Sequence, residues 1–523
     1  MRQIPVPASP APPGRRSRRP AALIGLVAGG LLVLAGGCRH ATRAGDLPLH
    51  WPTRPPAPLS GQTPTVLVSL ADRLPAGEGA APLVLDAAPG GSLRLVDAAG
   101  LNQQAPQLRI HWERRPLAQP LILERLVLGP FPSYESAQAQ ADRWRQQGVT
   151  PVLARPVDWE VWAPATAPAA GLPARLERQT HRERWQPVLE TSTGSIDIAA
   201  PVRIEATAGL RWKGGRHPGR LLLLPDAYGT WTLIEQLPFE TYLAGVVPHE
   251  IGAGSPPAAL RAQAVLARTW ALANQKRFAV DGYHLCSDTQ CQVYSEPGLA
   301  DGPLRQALKA SAGQVLVWNG RPVQGVYSAS NGGVIAGFDE AWAGTAPPYL
   351  RPAVDGDANR LRGTRLPLRN EAAVARLLVD PRGLWGQDHP RFRWQRRLTA
   401  EQLQALPGAD ALGRPLKLVV ADRGPSGRVR TLRIEGSSGA ISLRLDQIRR
   451  RLPMLPSTFF TVQSEGPEAW LITGGGFGHG AGLSQAGAID LARRGWSTER
   501  ILDHYFPGTR LQPLKSLPPE GSL

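Results

Sequence analysis

Four segments carry residue types at spacings that could do chemistry. The first runs from Leu237 to Ile251 and presents Glu250 just after Val246 and Val247. A carboxylate among Val246, Val247 and Ile251 is expected to be partly desolvated, which raises its pKa and keeps a proton available near neutrality. That suits a general acid. A surface glutamate favoured by the dipole of the following helix would read the same way. The second segment places His284, Cys286 and Cys291 within eight residues. These are three zinc-ligand types, with Asp288 a poor fourth, or else the two cysteines close a small disulfide loop. In the third, Gln324 to Gly333, a strand ends in a polar turn through Ser330 and Asn331. Such a turn can offer hydroxyls and backbone groups to a sugar, or be an ordinary strand exit. The fourth packs six glycines into the nine residues from Gly474 to Gly482 and continues through Ser484 and Gln485. No lysine follows, and the spacing fits neither a phosphate loop nor a dinucleotide fingerprint. His479 in so glycine-rich a loop is conformationally costly to place unless it is used.

These segments need elements to hold them. Before Glu250, the alternation at Ile196 to Ile198, Val202 to Ile204, Leu221 to Leu224 and Thr230 to Ile234, broken by glycines, fits antiparallel strands. After it, apolar residues at Leu260, Ala264, Ala267 and Ala271 predict a helix from Pro256 to about Lys276, with Ser255 as N-cap. A second helix is predicted from Ser484 to Arg494, stopped by Gly495, and a third from Thr498 to Tyr505 after Ser497. Nearer the N-terminus, short strands at Thr65 to Leu70, Pro82 to Leu85 and Leu121 to Leu128 precede a helix from Ser133 to Gln147. Strands at Thr150 to Leu153 and Trp159 to Trp162 follow. The expected class is α+β, mainly antiparallel β with a few helices.

A chain of 523 residues with 42% hydrophobic residues can bury more than one core. Its formal net charge of +17 points to an anionic partner, nucleic acid, membrane or acidic wall polymer. Only five of the 59 basic residues are lysine, and neither a zinc finger, an aromatic RNA-binding run nor a basic helix is present. Nucleic acid is therefore not expected as a partner. Arg15, Arg16, Arg18 and Arg19 precede a 17-residue uncharged apolar run, Ala21 to Gly37, that ends at Cys38. This has the build of an export signal. The run resembles a lipobox with Ala35 where Leu is usual, so Cys38 is the candidate lipidation site. A signal anchor or a plain cleaved signal are the alternatives. Each places the rest of the chain outside the cytoplasm.

Further motifs lie in the same order along the chain: Ala262 to Thr269, Cys291-Gln292-Val293-Tyr294, Ser426-Gly427-Arg428, and Leu502 to Thr509. Together with the segments around Glu250, Ser330 and His479 they resemble the SpoIID/LytB family, from about Gly194 to Leu511. The resemblance implies an exported protein acting on peptidoglycan, at the outer face of the cytoplasmic membrane. SpoIID-type members are lytic transglycosylases on glycan strands stripped of stem peptides, and LytB-type members enhance an amidase. The family's catalytic acid maps to Glu250, although His249 and Ile251-Gly252 flank it where the family often has a small residue and Met-Pro. Ser330, Asn331, His479, Ser484 and Gln485 are the candidate glycan-binding residues. No cofactor is required; certain members bind zinc near the Cys286–Cys291 region, but Gln290 stands where a histidine can occur.

The expected organisation is an export signal or lipoprotein-type anchor (1–38), a Pro-rich tether (39–63), a small α+β module (64–162), a linker (163–193), the SpoIID/LytB-like domain (194–511) and a tail (512–523). The strand, Gly129-Pro130-Phe131, helix, glycine, strand order in 64–162 fits any small βαβ unit. It also resembles half of a SPOR domain, a module that binds peptide-stripped glycan. The expected partners are peptidoglycan glycan strands, a cell-wall amidase, and the membrane through the N-terminus.

Overall fold

Period-two burial explains most of the strands. Thr65–Leu74 buries Val66 and Val68, Val202–Ala206 buries Val202 and Ile204, and Arg220–Pro225 buries Leu221 and Leu223. In the computed structural model, which describes residues 47–518 apart from 62, 170, 300, 301 and 362, these strands join one seven-stranded sheet. Its order is Leu285–Cys286, Thr65–Leu74, Trp231–Pro238, Arg220–Pro225, Val202–Ala206, Leu93–Val96, Asn102–Ala105. The pairings are antiparallel except that of Thr65–Leu74 with Leu285–Cys286. The described residues all fall in one compact unit, Asp46–Leu523. The export signal, Cys38 and the start of the tether lie outside them. Among the described residues, no helix is long and apolar enough to cross a membrane.

The strand pairings and burial correct the expected boundaries. Strands before residue 106 and strands after residue 202 share it, so 64–162 and 194–511 are interleaved. The expected linker 163–193 contains a 17-residue strand, Arg175–Thr191. It pairs antiparallel with the long strand Gln107–Phe131, from Ile110 opposite Leu189 to Val127 opposite Arg175. Polar and charged residues face both sides of most of this ribbon, so no apolar alternation marks it in sequence. The end of the expected tether also lies on the domain: Leu59 is buried, and Thr53 Oγ1 donates to the Val280 carbonyl at 2.7 Å. In the expected tail, Gln512 and Pro513 belong to the strand Arg510–Pro513, which pairs with Gln314–Trp318.

The central helix Pro257–Ala273 is sheathed on nearly every side, with Leu260, Ala264, Val265 and Ala267 fully buried. Its one fully buried cation, Arg268, donates through Nε and Nη2 to the two oxygens of Glu240 and through Nη1 to the Gln314 carbonyl. Pro256, not Ser255, is its N-cap. Ser255 Oγ instead donates to the Ile251 carbonyl at 2.6 Å and ties the helix start to the turn that carries Glu250. A separate core lies around the sheets formed by Trp394–Thr399, Phe460–Ser464 and Ala469–Gly474, and by Pro415–Arg423, Val429–Gly436 and Ala440–Arg444.

Candidate functional site

Glu250 sits in a one-turn π-helix, Pro248–Gly252, that continues the helix Phe239–Val247. Val246 and Val247 are fully buried and Ile251 nearly so, which fixes the turn against the core. Gly245 lets a second chain approach: a Cβ there would lie 2.5 Å from the Ser295 carbonyl oxygen and from the Tyr294 ring. That approach brings the Val293 N–H to Glu250 Oε1 at 2.8 Å. Gln485 and Tyr327 also hydrogen-bond the carboxylate. Burial nevertheless outweighs these three donors and raises the Glu250 pKa above the ordinary carboxylate value.

Tyr327 Oη donates to Gln292 Oε1 at 2.8 Å and also reaches Glu250. The Gln292 amide is held in turn, its Nε2 donating to Tyr242 Oη and to the Ala267 carbonyl. One phenol between an acceptor and a carboxylate can serve both protonation states. It donates to ionised Glu250, or accepts from the protonated acid while donating to Gln292. Gln485 Nε2 also donates to Gln263 Oε1 at 3.3 Å, on the central helix.

Two hollows meet at Glu250. One, of about 560 Å³, runs past Tyr327, Trp342, His479 and Arg449; the other, of about 450 Å³, runs past His389, Asp490 and Arg493. Glu250, Ala329 and Gln485 line both. The junction gives an extended chain room on either side of the acid.

Of the expected glycan-binding residues, His479 and Gln485 line this cleft. Ser330, Asn331 and Ser484 do not. Ser330 exchanges backbone hydrogen bonds with Phe477, at 3.1 and 2.7 Å. Asn331 is fully buried, with Nδ2 donating to Asp355 Oδ2 and Oδ1 accepting from the Gly333 N–H. Ser484 Oγ accepts from the N–H groups of Gly487 and Asn331, capping the helix Gln485–Arg493. Polar hydroxyl and amide residues in a turn satisfy the turn's own backbone first, and here that is their work. The glycine-rich loop answers to packing. A Cβ on Gly480 would lie 2.0 Å from the guanidinium of fully buried Arg428, which donates to the carbonyls of Val334 and Asn331.

His479 Nδ1 accepts from the Ala481 N–H at 3.1 Å, and the ring's other nitrogen donates to the Tyr327 carbonyl. Its ring centroid lies 4.7 Å from that of Trp342. Burial, aided by nearby Arg449, pushes its pKa down to about 3. The imidazole is therefore neutral near pH 7, a wall of the cleft and not an acid.

Cys286 and Cys291 form a disulfide with Cα atoms 5.6 Å apart. His284 stands apart from them: Nδ1 accepts from the Leu67 N–H, and the other ring nitrogen donates to the Ala57 carbonyl. In this arrangement both His284 nitrogens are engaged and both sulfurs are bonded to each other. Among the described residues, no group of three or more His, Cys, Asp or Glu could hold a metal.

Tyr327, Trp342, Glu340 and Arg449 are cleft residues that local sequence reading does not single out. Pro132, Ser133 and Glu135 join them from the N-terminal part of the chain. Ser133 and Ser136 donate to Asp446 Oδ2, joining this part of the chain to the helix Asp446–Arg451.

Fold and cleft together define an antiparallel α+β protein with desolvated Glu250 where two open hollows meet. Residues 227–318, which contain Glu250 and the disulfide, match the family model described as stage II sporulation protein. Residues 336–482, which contain Trp342, Arg449 and His479, match a model described only as a domain of unknown function. The chain is similar to stage II sporulation protein D of Bacillus subtilis, 26% identical over 299 residues, 53% of this chain and 75% of the relative. It is 28% identical to the amidase enhancer of Bacillus subtilis over 292 residues, 51% of this chain but only 40% of that protein. Stage II sporulation protein D of Bacillus amyloliquefaciens is 25% identical over 299 residues, 54% of this chain and 76% of the relative. These matches support a SpoIID/LytB family assignment.

Proposed function

We propose that this protein remodels the cell wall as a lytic transglycosylase, cleaving peptide-stripped glycan strands to 1,6-anhydro ends. The observation that carries the reading is that Glu250, which makes no ion pair among the described residues, is the one carboxyl group lining both hollows. Glu340 accepts from the Gly337 and Ser426 N–H groups and from Ser426 Oγ. Glu135 pairs with Arg277, Asp446 binds two serine hydroxyls, and Asp388 and Asp490 pair with Arg493 and Arg494. A glycosidase that uses water needs two working carboxyl groups, one acid and one base or nucleophile. Intramolecular attack needs one. Protonated Glu250 gives its proton to the glycosidic oxygen as the bond to C1 breaks. The sugar's own C6 hydroxyl then bonds to C1, and its proton passes to the Glu250 carboxylate, restoring the acid. Tyr327 tracks both states.

The similarity to an amidase enhancer supports a second reading, in which the same cleft binds glycan without cutting it and activates a wall amidase. Product analysis separates the two. Purified protein incubated with peptide-stripped glycan yields 1,6-anhydro ends under the first. Under the second it yields none, while accelerating amide cleavage by an added amidase.

On either reading the protein works outside the cytoplasm, held at the membrane by its N-terminus. The charged stretch and apolar run before Cys38 support this. Fatty-acid labelling that marks wild type but not Cys38→Ala is the expected result; label in neither leaves a signal anchor.

A further inference from the structure

Most cations facing the cleft already have a partner. Arg277 pairs with Glu135 and also donates to Asn274 Oδ1 and the Gln290 carbonyl, and Arg450 pairs with Asp158. Arg449, whose charge acts on His479, is different. It lines the larger hollow, its Nε is buried without a hydrogen-bond partner, and it makes no ion pair among the described residues. Asp446, the opposite charge that acts on it, turns Oδ2 to the hydroxyls of Ser133 and Ser136. Arg428 adds a second positive charge nearby, and its Nη1 and Nη2 already donate to carbonyls and Ser426. A half-buried guanidinium with no carboxylate in contact is costly to leave so, and its planar fork matches a carboxylate in two-point contact.

We propose that Arg449 binds a carboxylate carried by the bound glycan, namely the lactyl carboxylate of a muramoyl residue that has lost its stem peptide. While a peptide is attached, that carboxyl is a neutral amide and offers the guanidinium no charge. Once the peptide is removed, it becomes an anion. Arg449 thereby sorts stripped strands from decorated ones. The inference rests on the glycan reading above and adds the group that selects the substrate.

The test is equilibrium binding to the full chain carrying Glu250→Gln, so that nothing is cut. The probes are three tetrasaccharides: alternating N-acetylglucosamine and N-acetylmuramic acid with free lactyl carboxylates, the same sugar with lactyl methylamides, and chitotetraose. The acid is expected to bind about 10- to 100-fold more tightly than the amide, as a charge-assisted paired contact provides. Adding Arg449→Gln removes that preference by weakening the acid alone. Unchanged binding of the amide and chitotetraose shows that the cleft is still folded. If Arg449→Gln does not fold, Arg449→Lys decides, because it keeps the charge but not the fork and must reduce the preference. Equal binding of acid and amide to the Arg449 protein, or a preference that survives Arg449→Gln or is undiminished in Arg449→Lys, overturns the inference while leaving the glycan reading standing. Binding of none of the three sugars removes the glycan reading and this inference with it.

Discussion

The Val293 N–H donates to Glu250 Oε1 at 2.8 Å, two residues after the disulfide ends at Cys291. The bond that orients the acid thus hangs from a covalently closed loop. Cys286→Ser with Cys291→Ser is expected to reduce activity more than stability. Closing so short a loop contributes about 2 kcal/mol to unfolding free energy in the chain-entropy model. The comparison is chemical denaturation against turnover. Mass spectrometry of the unreduced protein should show the two thiols bonded; two free thiols with one equivalent of zinc would contradict the pairing.

Because burial raises the Glu250 pKa, the folded state holds a proton that the unfolded chain has released. Stability from this group is fully present below the ordinary carboxylate value of about 4.3 and is lost as pH rises through the folded pKa. Glu250→Gln, which stays neutral, should therefore unfold at higher denaturant than wild type at pH 8. The gap should close below pH 4. A variant less stable than wild type at pH 8 would mean that the carboxylate is not desolvated as described.

Tyr327→Phe deletes one donor to the ionised acid. Loss of a hydrogen bond to a charged group corresponds to about a 10- to 100-fold drop in kcat/KM. Tyr327 lowers the Glu250 pKa, so its removal should also move the alkaline limb of the activity profile to higher pH. A limb that stays in place would assign that limb to another group.

Asn331→Ala should act on stability and not on glycan affinity, since Asn331 is buried behind the cleft and bonded to Asp355. Leaving Asp355 Oδ2 short of a donor costs about 1–3 kcal/mol. Thermal unfolding and glycan binding, measured on the same sample, separate this from a direct binding role.

What the sequence discloses here is what neighbours in sequence decide. Ser133, Ser484 and Ser497 cap the helices they were expected to start or precede, because capping is a contact within four residues. Gly148 and Gly495 follow helix ends with φ of 78° and 82°. The antiparallel α+β class follows from period-two burial, and Glu250 from an apolar run meeting a carboxylate. Other features come from chain crossing. Arg175–Thr191 is a strand only because Gln107–Phe131 lies beside it. Arg449 and Trp342 reach the cleft from far along the chain after Glu250. Ser330, Asn331 and Ser484 have the chemistry to bind a sugar, but the fold turns it inward onto backbone and Asp355.

The central claim is that Glu250 alone performs the proton transfers of an intramolecular glycan cleavage, and its direct test is a product comparison by mass spectrometry. Wild type and Glu250→Gln are incubated with peptide-stripped glycan, and 1,6-anhydro ends are counted over time. Gln is nearly isosteric and cannot give or take the proton, so the ends should appear with wild type and form about 10²–10⁴-fold more slowly with the variant. Cleavage by Glu250→Gln at the wild-type rate would contradict the assignment of the acid. Wild type that makes no anhydro ends yet speeds an added amidase would contradict the transglycosylase itself.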